Sequence, residues 1–174
     1  MLSMIVAVSD NNVIGQNGGI PWHLPGDFAR FKILTKNADW YVTGRKSYES
    51  LLLTLKDKTQ EPLPGRNKLI FTKNLDFNAP HCAVTTILTP ILLAAETKNV
   101  FIGGGAEIYK LFLPFADRLY LTRVHKIVEG DAYFPALNPD EWERFYCPID
   151  AIIERHPKDE CDYEFTDYQR RTHD

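Results

Sequence analysis

Short apolar runs alternate along this chain with stretches whose apolar residues recur at helical spacing. The run over 4–8 predicts a buried strand. Residues 26–35 predict a helix, 40–43 a short strand, and 45–52 a second helix. Strands are expected at 68–72 and 84–87, and a helix at 90–97 with Pro90 in its first turn. A strand follows at 100–102, then a helix over 106–112 that stops before Pro114, and a strand at 118–124. Two longer strands, 143–153 and 163–170, have no helix between them. The polar, basic stretch 53–61 predicts a surface loop.

Strands alternating with helices imply a mostly parallel sheet covered on both faces. The expected fold is therefore α/β: a single domain over 1–174, with a central, mostly parallel twisted sheet, flanking helices and a C-terminal antiparallel hairpin at one edge. No repeat, low-complexity tract or linker divides the chain, and 174 residues, 44% hydrophobic, suffice for one sizeable core.

Charge narrows the function classes. A formal net charge of −3 and a pI near 6.0 give no global basic field, so neither nucleic acid nor an anionic membrane is an expected partner. The N-terminal apolar run has no basic flank and is too short for a signal peptide or membrane span. Cys82, Cys147 and Cys161 are odd in number and form no CxxC pair, which fits a reduced, cytoplasmic protein. His23, His81, His125, His156 and His173 lack ligand spacing, so no metal is expected.

Two glycine-containing stretches suggest anion binding. In Asn99–Phe112 a strand meets Gly103, Gly104 and Gly105 and then a helix. Glycines at such a turn let backbone approach a ligand closely, and a helix start favours negative charge. The spacing is neither GxGxxG nor a Walker A loop, and a tight turn alone is the simpler alternative. Gly44-Arg45-Lys46-Ser47 and Thr72-Lys73 end two candidate strands, where parallel sheets place ligands. Together these residues could converge on one phosphate; singly, each is a solvated surface residue.

Asp27 sits in Ile20–Lys32 among two prolines, a tryptophan and two phenylalanines. On a helix it shares a face with Phe31 and Leu34, while Arg30 and Lys36 turn elsewhere. An acid in a helix's first turn is stabilised by backbone N–H groups and the dipole, which is the alternative to a functional role. In an apolar cleft the carboxylate's pKa would rise by desolvation. It could pair side by side with two adjacent N–H donors, as on a flat heterocycle with an amidine-like edge.

These residues, taken in order, resemble those of the dihydrofolate reductases. The motifs are Val13-Ile14-Gly15, Pro21-Trp22-x-Leu24-Pro25-x-Asp27, Phe31-Lys32, Thr35, Gly44-Arg45, Glu49-Ser50, Leu63-Pro64-Gly65-Arg66, Ile102-Gly103-Gly104-Gly105, Tyr109, Phe112-Leu113-Pro114, Leu119-Tyr120-Leu121-Thr122, Glu129-Gly130-Asp131 and Phe134-Pro135. They span roughly residues 3–135, and each alone is modest while the series is specific.

The resemblance implies reduction of 7,8-dihydrofolate to tetrahydrofolate with hydride from NADPH, delivered to C6 with protonation at N5. It implies that Asp27 holds the 2-amino and N3 edge of the pteridine, with Trp22 and Thr122 fixing a water and the carboxylate. Ile5, Val6 and Ile102 join the substrate site, Phe28, Phe31, Leu51 and Leu63 line the benzoyl-glutamate channel, and Arg66 clamps the glutamate α-carboxylate. Ala7, Ile14 and Gly15 frame the nicotinamide, with Ile20 in the mobile loop over 13–24. Gly103, Gly104 and Gly105 approach the pyrophosphate, followed by Ala106, Glu107 and Ile108. The family's cis Gly-Gly bond is expected at Gly103–Gly104. Gly44, Arg45, Lys46, Ser47, Thr72 and Lys73 read the 2′-phosphate.

Several positions depart from the family pattern. Ser47 replaces Thr, Tyr48 replaces Trp, Ile20 replaces a methionine, Lys73 adds a charge where a hydroxyl is common, and 52–60 is longer than in compact bacterial members. Asp rather than Glu as the acid is the bacterial pattern. The resemblance further implies inhibition by antifolates; with no large apolar partner surface evident in the sequence, a monomer is expected. The nearest rivals are the NADPH reductase of riboflavin biosynthesis, with no evident use for Asp27 and Arg66 together, and a non-catalytic nucleotide-binding module, which would tolerate Asp27→Asn.

Overall fold

The computed structural model describes residues 1–55, 61–74 and 76–172. The strands are β1 (Leu2–Ser9), β2 (Val13–Gly15), β3 (Trp40–Gly44), β4 (Lys68–Phe71), β5 (Ala83–Thr85), β6 (Val100–Ile102), β7 (Arg118–Val124), β8 (Ala132–Tyr133), β9 (Trp142–Arg144), β10 (Tyr163–Phe165) and β11 (Tyr168–Arg170). The α-helices are α1 (Pro25–Thr35), α2 (Arg45–Thr54), α3 (Thr89–Thr97) and α4 (Ala106–Phe112).

Among the described residues the main sheet has nine strands in the order β5-β4-β3-β6-β1-β7-β11-β9, with β10 also pairing β7. The six strands from β5 to β7 run parallel. β1 lies between β6 and β7, with Met4 opposite both Ile102 and Leu119. β6 inserts between β3 and β1, so the chain winds outward in opposite directions from the middle of the sheet. Ligands of parallel sheets bind at the carboxyl ends of strands beside such a reversal.

Alternation along the central strands divides the core. Leu2, Met4, Val6 and Val8 of β1 join Val100, Ile102, Leu119 and Leu121 on one face, against Ile91 of α3 and Ile108 and Phe112 of α4. The intervening Ile5, Phe101 and Tyr120 face the other side, against Phe31 and Leu34 of α1 and Leu51 of α2. A strand buried on both faces reads as a continuous apolar run, which is why 4–8 was recognisable. Each fully buried aliphatic or aromatic side chain contributes about 1.5–3 kcal/mol.

The antiparallel C-terminal edge is present: β11 pairs β9, and β10 and β11 both pair β7. The long strand expected at 163–170 divides into β10 and β11 around Thr166 and Asp167, where Asp167 turns to Arg30, and the long strand expected at 143–153 is absent. The strand there ends at Arg144, and Pro148–Ile152 forms a 3₁₀ turn. Pro148 has no N–H for a ladder, and the turn carries Asp150 to Arg30 of α1, with Nε–Oδ1 at 2.6 Å. The sequence reading also missed the small sheet of β2 and β8. Those strands are short and paired across more than a hundred residues, so neither has a legible period of its own. The loop expected at 53–61 lies in part outside the described residues; Leu53 and Thr54 belong to the end of α2.

Candidate functional site

α1 begins with Pro25, whose lost N–H has no role in the first turn, and places Asp27 in that turn. The residue before the helix, Leu24, offers no capping side chain; instead the Gly26 N–H donates to Asp159 Oδ1 at 2.9 Å and the Phe28 N–H to Leu24 O at 3.0 Å. Asp27 is half-buried, facing β7, where the Thr122 hydroxyl donates to its Oδ1 at 2.5 Å. Burial pushes the Asp27 carboxyl above its usual range, opposed by the Thr122 hydrogen bond and by the Arg30 charge. Trp22 is buried with Leu24, Val124 and Tyr163, and Ala7 borders that cluster.

An aromatic wall continues from Asp27 along α1. The exposed Phe28 stacks on Phe31 at 5.7 Å, and Phe31 meets Tyr41 edge-on at 5.6 Å. Ile5, Leu63 and Leu51 pack into the same cluster. Arg66 lies at its far end: Nε donates to Thr35 Oγ1 at 2.9 Å, Nη2 to Lys32 O at 3.0 Å and Nη1 to Pro64 O at 3.1 Å. These bonds hold the guanidinium against the end of α1, near the Phe31 ring. Of the substrate residues expected from the sequence, Asp27 thus meets Thr122, and Arg66 lies by Phe31, which packs with Leu63 and Leu51 and stacks on Phe28, while Trp22 sits in the cluster of Leu24, Val124 and Tyr163. Val6 and Ile102 pack in the opposite core, so their side chains belong to the sheet interior.

The glycine run ends β6. The Gly103 N–H continues the ladder to Val42 O at 2.8 Å, and a Cβ on Gly103 would stand 1.7 Å from the Tyr41 hydroxyl. Gly104 has φ +92°, open to glycine, and its carbonyl accepts from the Gly44 N–H at 2.7 Å and the Thr43 hydroxyl at 2.9 Å. The cis peptide is Gly104–Gly105, one residue later than the expected Gly103–Gly104. Gly103 still belongs to the strand ladder, so the backbone leaves extended geometry only after it. Ala106 and Glu107 open α4, whose Ile108 is buried.

β3 and β4 are parallel neighbours with Gly44 opposite Phe71, so Arg45, Lys46 and Ser47 follow one strand end while Thr72 and Lys73 follow the other. Lys46 and Lys73 are exposed and Thr72 is buried. Arg45 pairs with Glu49 at 2.8 Å. On the other side of the sheet reversal, Ile14 and Gly15 lie on β2, and Ile20 is 68% exposed. What sequence reading missed is Arg30, taken to turn away from the Asp27 face. It is 1% exposed and paired with Asp150 and Asp167, whose positions 120 and 137 residues downstream give no local signal.

The dihydrofolate reductase family profile matches residues 1–170. The chain belongs to the dihydrofolate reductase family. A dihydrofolate reductase of Bacillus subtilis (strain 168) is 34% identical over 172 residues, covering 98% of this chain and 95% of that protein. The type A13 dihydrofolate reductase of Escherichia coli is 37% identical over 142 residues, 80% of this chain and 81% of that protein. Among solved structures, the dihydrofolate reductase from Enterococcus faecalis complexed with NADP(H) and RAB-propyl superposes with a TM-score of 0.84 at 31% identity, covering 99% of this chain and 97% of that one. Membership of the dihydrofolate reductase family thus extends through the C-terminal strands, beyond the motifs legible in the sequence.

Proposed function

We propose that this chain reduces 7,8-dihydrofolate to 5,6,7,8-tetrahydrofolate with NADPH. The observation that carries the reading is Asp27: a half-buried carboxylate in the first turn of α1, held by the Thr122 hydroxyl from β7, in a chain of this family. A carboxylate oriented in this way accepts two parallel N–H bonds from the amidine-like edge of a pteridine. Its charge then favours the substrate form protonated at N5, with the proton arriving from water. Phe28, Phe31, Leu51 and Leu63 cover the benzoyl group, and Arg66 pairs with the glutamate carboxylate. A guanidinium already fixed by three hydrogen bonds loses little freedom on that pairing.

The chain's residues fit a phosphorylated dinucleotide. Lys46 and Lys73 offer exposed ammonium groups at neighbouring strand ends, beside Arg45, Ser47 and Thr72, in a protein of net negative charge. Gly103 to Gly105 allow backbone approach, and Ala7, Ile14, Gly15 and Ile20 border the side toward Asp27. NADPH supplies the hydride that C6 accepts. The similar Enterococcus faecalis enzyme was solved in complex with NADP(H), which supports this choice of cofactor. The protein acts as a monomer in the cytoplasm and is inhibited by antifolates. Among the described residues no helix is long and apolar enough to cross a membrane.

Loss of reduced-nicotinamide absorbance on adding dihydrofolate tests the reading. Oxidation that prefers NADPH over NADH and stops with an antifolate pteridine is expected. Cofactor binding without dihydrofolate-dependent oxidation would move the substrate to the ribosylated pyrimidine of the riboflavin-type reductases.

A further inference from the structure

Asp27 is not the only residue of α1 tied to the active strand. Three positions later, Arg30 is among the largest fully buried side chains of the protein. Its Nε donates to Asp150 Oδ1 at 2.6 Å, and Nη2 donates to Asp150 Oδ2 at 3.1 Å and to Asp167 Oδ2 at 2.5 Å. The other oxygen of Asp167 accepts the Leu121 N–H at 3.0 Å. Leu121 is the residue before Thr122, which holds Asp27. The guanidinium also stacks 4.1 Å over Phe165, the β10 residue in register with Thr122. α1 therefore meets β7 twice at adjacent residues, directly through Asp27 and indirectly through Arg30 and Asp167.

We propose that Arg30 is a positioning residue for the Asp27 carboxylate, acting through Asp167 on the Thr122 segment of β7 and through its own charge behind the site. The inference rests on Asp27 being the carboxylate that receives the substrate. Residues three apart on a helix are neighbours, so Arg30's charge reaches Asp27 through a poorly screened interior. Among the described residues, Nη1 of Arg30 is buried without a hydrogen-bond partner, so the two aspartates do not saturate the guanidinium. The groups facing Asp27 are Thr122, Arg30, Asp159, Tyr109 and Tyr163. Those facing Arg30 are Asp150, Asp167, the Cys147 thiol and the Tyr120 and Phe165 rings. Cys147, Asp150 and Asp167 also approach one another closely enough to hold a metal, but the guanidinium already supplies the cation between the carboxylates.

The test is a carbon-detected NMR titration of the Asp27 carboxyl in the ligand-free protein, beside the pH profile of dihydrofolate-dependent NADPH oxidation. In Arg30→Met the Asp27 titration should move upward by about one pH unit, with the activity profile moving the same way. Arg30→Lys should return part of the displacement. Asp150→Asn, which keeps an oxygen for Nε but removes a negative charge, should not move it upward. Loosened packing would displace Arg30→Met and Asp150→Asn alike, and that result overturns the proposal, as does an unmoved Asp27 in folded Arg30→Met. Should Arg30→Met fail to fold because two carboxylates lose their partner, R30M/D150N/D167N is compared with D150N/D167N, and the upward displacement of Asp27 between those two variants is judged instead. A parent protein that does not turn over dihydrofolate would defeat the functional reading, while the carboxyl titration would still decide the role of Arg30.

Discussion

Opposed influences meet on the Asp27 carboxyl: burial pushes its pKa up, while the Thr122 hydroxyl and the Arg30 charge pull it down. Burial is the larger influence, so the carboxyl stands above its ordinary value. Asp27→Asn preserves the shape and the Thr122 contact but cannot stabilise a protonated pteridine. Turnover of dihydrofolate should fall by about 10²–10⁴-fold at neutral pH, with NADPH affinity nearly unchanged. Part of the loss should return as the pH falls, because the substrate then arrives already protonated. Steady-state rates across pH, with cofactor affinity from fluorescence titration, check this. Parent-like turnover at neutral pH would remove Asp27 from the mechanism. The identity of this residue was legible because a carboxylate in a Pro-Trp-Phe setting is chemically conspicuous. Its partner Thr122, 95 residues away, was recognisable only through the resemblance.

The parallel pairing of β3 with β4 turns two ordinary sequence pieces into one candidate anion site. Neither Lys46 nor Lys73 is distinctive alone, since exposed lysines are common; their strand ends make them neighbours. Lys46→Ala with Lys73→Ala should weaken NADPH binding by about a hundredfold or more, since two charge-assisted bonds to a phosphate, each worth about 1.5–3 kcal/mol, are lost together. NADH, lacking the 2′-phosphate, should be affected far less. Equal losses for both cofactors, measured by fluorescence titration, would locate the phosphate elsewhere. Elements buried on both faces, such as β6 and β7, were legible to the residue, because apolar continuity survives without context. The C-terminal segment was not: 143–153 alternates enough to read as a strand, but Pro148 and the attraction of Asp150 to Arg30 turn it away from the sheet.

Across the whole molecule, the Arg30 cluster joins three distant parts: α1, the Pro148–Ile152 turn and the β10–β11 connection. Burial pushes Asp167 up to about 6, despite Arg30 beside it. A carboxyl raised in the folded state binds its proton more tightly there than in the unfolded chain. Its contribution to stability is then greatest at low pH and falls as pH rises through about 6. Urea unfolding of the parent and of Asp167→Asn, between about pH 5 and about pH 7, isolates this contribution. The parent should lose stability relative to the variant as pH rises over that interval and stay level above it. A difference constant with pH would mean that Asp167 titrates as it does in the unfolded chain.

Much about this protein was determined by its sequence. The alternation of short apolar runs and helices specified a mostly parallel sheet, because burial on both faces demands it. The order of motifs specified the family, because many modest constraints in series leave few alternatives. Tertiary structure alone brought Thr122 to Asp27, and Asp150 and Asp167 to Arg30. Those meetings depend on strand order and register across gaps of tens to more than a hundred residues. No local period encodes them, because the energy that enforces them comes from closing the whole sheet and core rather than from any one segment.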